Sequence, residues 1–402
     1  MQYTFTRPLK SNDEHSLLVM LDTYAISAYF ETPNQDKKLF AYGAEKISND
    51  FNNINGEIIF GGQQFNQTYF KDSVLMNGFW FLPTIYVELT ESSLTFHSET
   101  INDFDSWLIK TKQLLKQQVS ILNTKDEEDW PTRTQMLITD LNSDEEVKKV
   151  VFGRQRQNQL SRPLYAAKLI MALSVQQNTY HVVLKNQNEL FVSATPERLV
   201  KVSSGYLETA ALAGTINRGL TPSEDQLLGE SLLSSVKNRQ EHAYVVHELK
   251  QKLQTMTTCL DVPETPILLK NKQVQHLYTP INGKLAQYGI TDIMTALHPT
   301  PALGGVPKAL ALAYINAHEK QPRGLFASPI GYYTGSGDGE FAVGIRSMLI
   351  NQTTRIATLF AGAGIVADSI AEEEYEETGL KFEPMQQLLK DYKIGRASCR
   401  ER

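Results

Sequence analysis

The sequence predicts an α+β protein built mainly on antiparallel sheet. Segments rich in β-branched and aromatic residues outnumber helix-patterned ones, and they follow one another across short turns instead of alternating with helices. Size agrees with this. At 402 residues, 41% hydrophobic and 21% charged, the chain is long enough for one large or two ordinary domains with full cores.

Taken in order, residues 16–21, 26–30, 57–60, 79–89 and 93–97 read as strands, with Asn55-Gly56 as a tight turn. Trp107, Leu108, Leu114, Leu115, Val119 and Leu122 recur at helical spacing, which predicts an amphipathic helix over 103–122. The polar stretch 123–128 then reads as a joint, dividing an N-terminal β-rich subdomain, 1–128, from a second region, 129–393. Lys149 opens a short strand at 150–152, and 180–184, 190–193, 199–202 and 206–212 form a meander with Glu197 at a strand-to-strand joint. Thr221-Pro222-Ser223-Glu224 is a helix start, predicting one long helix to about residue 256 with Glu241, Tyr244, Val245 and Glu248 on one face. Segments 341–350 and 355–360 read as a hairpin leading through Ala361-Gly362-Ala363-Gly364 into a last helix, where Glu374, Glu377 and Lys381 share a face. The final residues, 394–402, read as a non-native tail.

Composition narrows the partners. A net charge of -6 gives no electrostatic footprint for nucleic acid or an anionic membrane, so the expected partner is a small molecule drawn in by a local basic pocket. No run of about 18 apolar residues is present, and the first residues lack the apolar core of a signal peptide, so a cytoplasmic protein is expected. Two cysteines, one of them Cys399 in the tail, support neither a disulfide framework nor a cysteine metal site, and Cys259 is expected as a small buried hydrophobe. Gly335-Ser336-Gly337-Asp338-Gly339 lacks the P-loop lysine and is followed by a strand, which argues against a nucleotide loop.

Four short motifs carry the chemistry. Lys149 and Glu197 are a candidate base and acid, and Glu241 and Glu377 are hard oxygen donors able to hold a divalent cation beside a small anion. Each has a plainer explanation when taken alone: Lys149 as a solvated strand-start lysine, Glu197 as a partner of Arg198, Glu241 as a partner of Lys237, and the Glu372–Glu377 run as acids at a helix N-terminus.

The motifs together resemble the chorismate-utilising enzymes, the anthranilate synthase component I-like family, and within it the isochorismate synthase branch. The likeness rests on Lys149-Val150-Val151, Thr195-Pro196-Glu197-Arg198-Leu199, Ala211-Leu212-Ala213-Gly214-Thr215, Glu241-His242, His298-Pro299-Thr300-Pro301-Ala302-Leu303-Gly304-Gly305, Gly344-Ile345-Arg346 and Gly362-Ala363-Gly364-Ile365-Val366, which occur in family order over about 130–393. It departs from the common pattern at Thr195, Gly153 and Tyr375, where the family more often has Ser, Ala and Trp.

The resemblance implies a single large chorismate-binding domain of two antiparallel sheets packed face to face, with helices outside. It implies that Lys149 is the base activating water and Glu197 the acid protonating the departing hydroxyl. Glu241 and Glu377 would contact Mg2+ directly and Glu374 through water. Substrate contacts are implied at Gly214, Thr215, His298, Leu303, Tyr333, Arg346, Gly362, Gly364 and Lys381, with Arg346 as carboxylate clamp. The expected product is isochorismate for menaquinone or siderophore synthesis, from a monomer or a dimer. A salicylate synthase, an anthranilate or aminodeoxychorismate synthase component, and a non-catalytic chorismate-binding subunit are the alternatives.

Overall fold

The computed structural model describes residues 2–108, 118–143, 146–270 and 274–391. They form one α+β domain in which a 12-stranded and a 10-stranded sheet, antiparallel in their pairings among the described residues, pack together with helices outside. Strand Ile26–Glu31 shows how period-two side chains divide the cores: Ala28 and Phe30 join the cluster that reaches the smaller sheet, and Tyr29 joins the cluster beneath the outer helices. Phe30 meets Tyr332 of the smaller sheet edge-on with ring centroids 5.2 Å apart. Helices Asp13–Thr23 and Ala166–Leu173 cover the other face of the larger sheet.

Early and late parts of the chain are interleaved. Strand Ile26–Glu31 pairs with Tyr180–Asn186 in the larger sheet, and Ile58–Gly62 pairs with Pro329–Thr334 in the smaller. The chain also passes between sheets inside segments that read as continuous. Expected strand 79–89 is two strands, Phe79–Leu82 in the smaller sheet and Ile85–Thr90 in the larger, separated at Pro83, which has no N–H for a ladder. The expected meander is divided likewise: Glu189–Thr195 lies in the larger sheet and Arg198–Ser203 in the smaller. Expected strand 341–350 is Gly339–Val343 followed by Ser347–Asn351, again in different sheets; only the latter forms a hairpin with Ile356–Ile365.

Several other expectations are corrected. Residues 16–21 belong to helix Asp13–Thr23, because the five-residue apolar run Leu17–Leu21 has no period that separates strand from buried helix. The helix expected over 103–122 is seen as Phe104–Leu108; residues 109–117 lie outside the described residues, and Ile121 and Leu122 begin strand Ile121–Asp126. The supposed joint 123–128 is therefore mostly strand, pairing with Lys149–Leu160. The long helix expected to 256 is two, Pro222–Ser234 and Val236–Gln254, because extended Ser235 ends the first and caps the second. Asn55-Gly56 is a bend, and Cys259, on edge strand Thr257–Asp261, is exposed. Strands Tyr3–Pro8 and Lys37–Tyr42 are additional to those expected. The tail 394–402 lies outside the described residues.

Strand Lys149–Leu160 is four times the expected length. Its polar residues face the last helix, Ala371–Asp391, at every second position. The Arg154 guanidinium donates to the Tyr375 carbonyl at 2.9 Å, that of Arg156 lies 4.7 Å from the Phe382 ring, and the Asn158 amide donates to Gln386 at 3.1 Å. A strand buried beneath a helix by polar contacts shows no apolar alternation, so sequence periodicity revealed only its Val-Val-Phe start.

Candidate active site

Glu197 and Arg346 stand at two sheet crossings that lie side by side. The Val343 N–H donates to the Glu197 carbonyl at 3.0 Å, the Ala194 N–H to the Arg346 carbonyl at 3.1 Å, and the Ser193 hydroxyl to the Ile345 carbonyl at 2.7 Å. The Thr195 hydroxyl accepts from the Glu197 N–H at 3.2 Å, a local turn that aims the acid out of the strand. Arg346 has φ of 45°, a left-handed conformation that a non-glycine residue keeps only where its surroundings enforce it. Burial pushes the Glu197 carboxyl up to about 7, against the opposing pull of the Arg346 guanidinium. The acid opens on a cavity of about 480 Å³ bordered by Leu212, Val245, Leu297, Thr300 and Ala302.

Next along the cleft, strand Tyr206–Asn217 bulges between Ala213 and Thr215, where Gly214 takes φ of 76°. A non-glycine residue would be strained there, and its Cβ would press on Asn238 at 3.3 Å. The Thr215 hydroxyl lies 2.9 Å from the His276 ring nitrogen Nδ1. Burial, with the charge of Arg346 adding, lowers the His276 pKa to about 4, so its imidazole is neutral at pH 7. Sequence reasoning missed His276; its only signal was its position on the strand paired with the Gly214-Thr215 motif.

Lys149 is the first residue of its strand, paired with Val306. Across the ladder, Gly364 opposes Val151, and a Cβ there would come within 2.7 Å of Lys149 Cε, so glycine makes room for the lysine. Lys149 Nζ donates to Glu241 Oε1 at 3.1 Å. Helix Val236–Gln254, which carries Glu241, is fixed by buried His242, whose Nε2 meets the Thr279 hydroxyl at 2.7 Å. On the last helix, Glu377 pairs with Lys381 at 2.6 Å, and Lys381 donates to the Gly362 carbonyl at 2.8 Å. Glu374 accepts from the Ser369 hydroxyl at 2.8 Å; burial raises its carboxyl above the usual range and the charge of Glu377 adds to the rise.

The structure thus joins Lys149, Glu241, Gly362, Gly364, Glu374, Glu377 and Lys381 on one side, with Gly214 and Thr215 leading to Glu197 and Arg346 on the other. It does not bring the other three expected substrate contacts into the open cleft. Buried His298 lies with Nε2 3.1 Å from the Phe65 carbonyl, and burial lowers its pKa to about 3. Leu303 is buried and its carbonyl accepts from Arg323 at 2.8 Å. Tyr333 is buried against Trp80 and Phe341, with its hydroxyl 3.1 and 3.2 Å from the Phe51 and Ile54 carbonyls. These side chains support the walls by packing.

Among the described residues no three His, Cys, Asp or Glu side chains are close enough to hold one ion. The donor chemistry nevertheless fits a hard cation, since Glu374 and Glu377 repel each other and offer carboxylate oxygens; Glu241 and Glu377 each pair with a lysine ammonium that the ion would displace.

A family model described as "chorismate binding enzyme" matches residues 19–390. The chain belongs to this family, the anthranilate synthase I-like and isochorismate synthase group. The isochorismate synthase MenF of Escherichia coli is 33% identical over 310 residues, 74% of this chain and 70% of that protein. The salicylate biosynthesis isochorismate synthase of Pseudomonas aeruginosa is 46% identical over 203 residues, 50% of this chain and 42% of that protein. The MenF of Bacillus subtilis is 38% identical over 262 residues, 65% of this chain and 55% of that protein; the chain therefore spans about half the length of these two relatives. The solved structure of the menaquinone-specific MenF from Escherichia coli superposes with a TM-score of 0.83 at 26% identity, covering 96% of this chain and 94% of that one.

Proposed function

We propose that this chorismate-binding enzyme is a magnesium-dependent isochorismate synthase. Arg346 and Lys381 hold the substrate carboxylates, the former through a planar fork suited to two oxygens. Lys149 takes a proton from water as its oxygen bonds to one ring carbon; Glu197 gives its proton to the hydroxyl breaking from another, which departs as water. Water enters and leaves, so the net change is isomerisation. Bound magnesium, held by Glu241 and Glu377 with Glu374 acting through water, would supply positive charge for a carboxylate in acidic surroundings.

The observation that carries this reading is the Glu197 carboxyl, lifted to about 7 at the cleft wall beside Arg346. A carboxylic acid tuned so far upward keeps its proton near neutrality until a leaving group needs it. The relatives' isochorismate synthase names support the same chemistry, and the menaquinone and salicylate contexts those names carry support a product destined for one of those two compounds. We place this activity in the cytoplasm.

The test is incubation with chorismate and Mg2+, followed by identification of the product. Isochorismate is expected. Salicylate with pyruvate would identify a synthase that continues to elimination, anthranilate formed with ammonia would reassign the nucleophile, and binding without turnover would make the chain a non-catalytic subunit.

A further inference from the structure

Arg154 has no part in the chemistry above, yet it is 2% exposed and all three of its guanidinium nitrogens are engaged. Nε donates to the Thr378 hydroxyl at 2.8 Å, Nη2 to the Tyr375 carbonyl at 2.9 Å and Nη1 to Asp126 Oδ1 at 2.8 Å. Its carbon lies 3.7 Å from the Tyr375 ring centroid, within cation–π range. Asp126 also receives Arg156 at 2.6 Å, so the acid holding Arg154 is itself fixed.

The two helix residues gripped by Arg154, Tyr375 and Thr378, each directly follow a proposed metal-binding acid, Glu374 and Glu377. Arg154 also stands five residues after Lys149 on one uninterrupted strand. The guanidinium therefore ties the turn bearing the acids to the backbone bearing the base. Thr378 completes the clamp: its hydroxyl accepts from Arg154 and lies within donating distance of the Glu374 and Tyr375 carbonyls, at 3.1 and 2.9 Å.

We infer that Arg154 is a positioning residue that presets Glu374 and Glu377 for the divalent cation and fixes their separation from Lys149. This rests on the proposed metal site. A lysine cannot reproduce the function, because a point ammonium lacks the fork that reaches Thr378, Tyr375 and Asp126 together. Without the clamp the helix turn must be ordered by the ion itself, at a cost in affinity. Groups that orient ligands from outside the coordination shell typically contribute about 10–100-fold in metal affinity or activity.

The test uses Arg154→Met and Arg154→Lys in the full chain, with Mg2+ affinity measured by calorimetry and backbone hydrogen exchange followed across helix Ala371–Asp391. Both variants should bind Mg2+ about 10–100-fold more weakly. Exchange in the turn around Tyr375 and Thr378 should rise without Mg2+ and fall when it saturates, with turnover recovering at that concentration. If Arg154→Met does not fold, Tyr375→Leu, which removes the ring and keeps the carbonyl, should show the same changes more weakly. A folded Arg154 variant with wild-type Mg2+ affinity would overturn the inference while leaving the proposed reaction intact. Wild-type protein that turns over chorismate without binding Mg2+ would overturn both the metal site and this inference.

Discussion

Glu197 ties the proposed reaction to pH. Its folded pKa of about 7 lies above the ordinary 4.5, so the native state holds this proton where the unfolded chain releases it. The associated stability is fully present below about 4.5 and is lost as pH rises through about 7. Glu197→Gln should remove that component from a pH series of denaturant melts, and should lower turnover about 10²–10⁴-fold with little change in chorismate binding. Rapid single-turnover conversion by the folded variant would show that another group is the acid. Lys149→Ala should likewise abolish turnover while the protein stays folded. Gly153 makes a separate point, since its N–H donates to Glu319 at 2.6 Å and an added Cβ would lie 2.9 Å from that carboxyl. Glu319 is held by Arg323 and cannot swing away freely, so Gly153→Ala, toward the residue more common in the family, should destabilise by about 1–3 kcal/mol in denaturant melts.

Strand and helix ends set the reach of each functional group. Gly364→Ala would push on the distal carbons of Lys149, which can yield, so stability should hardly change; a displacement near 1 Å can nevertheless lower turnover by about 10²-fold. A Gly364→Ala protein with normal kinetics would show that Lys149 does not require that space. Glu241→Gln and Glu377→Gln should weaken Mg2+ binding in calorimetry, with Glu374→Gln milder; equal affinities would argue against the division between direct and water-mediated contacts. At this scale the sequence is informative where a short motif surrounds the residue, whether at a strand end, as for Lys149, or inside a helix, as for Glu241 and Glu377. Lys149, Glu197, Glu241, Arg346 and Glu377 were legible as candidates because each sits in a short motif shared with the family. His276, Arg154 and Asp126 were not, since they act through partners distant in the chain and leave no local pattern. Local patterning also missed the changes of sheet near Pro83, Glu197 and Gly344, because the flanking strands on both sides share the same β-rich composition.

For the whole molecule, strand interleaving makes the fold indivisible. Removing the first 128 residues would strip Ile26–Glu31 from Tyr180–Asn186 and Ile58–Gly62 from Pro329–Thr334, exposing unpaired edges in both sheets. A 129–393 fragment should therefore fail to give a cooperative melt even though it contains every proposed site residue; a cooperative transition would show that the later strands close on themselves. The overall class, α+β with mostly antiparallel strands, could be read from composition and order. The distribution of strands between sheets could not, because pairing depends on contacts hundreds of positions apart. The adjacent crossings at Glu197 and Arg346 have a mechanical result: a small dianion seated there would touch both sheets at once. Chorismate analogues should raise the melting temperature even when they cannot react, with about 2.7 kcal/mol of added stability at a concentration 100 times Kd. In a thermal-shift screen at one concentration the shifts would then rank compounds by affinity for the native cleft, and those that gain affinity by touching both sheets should stand highest.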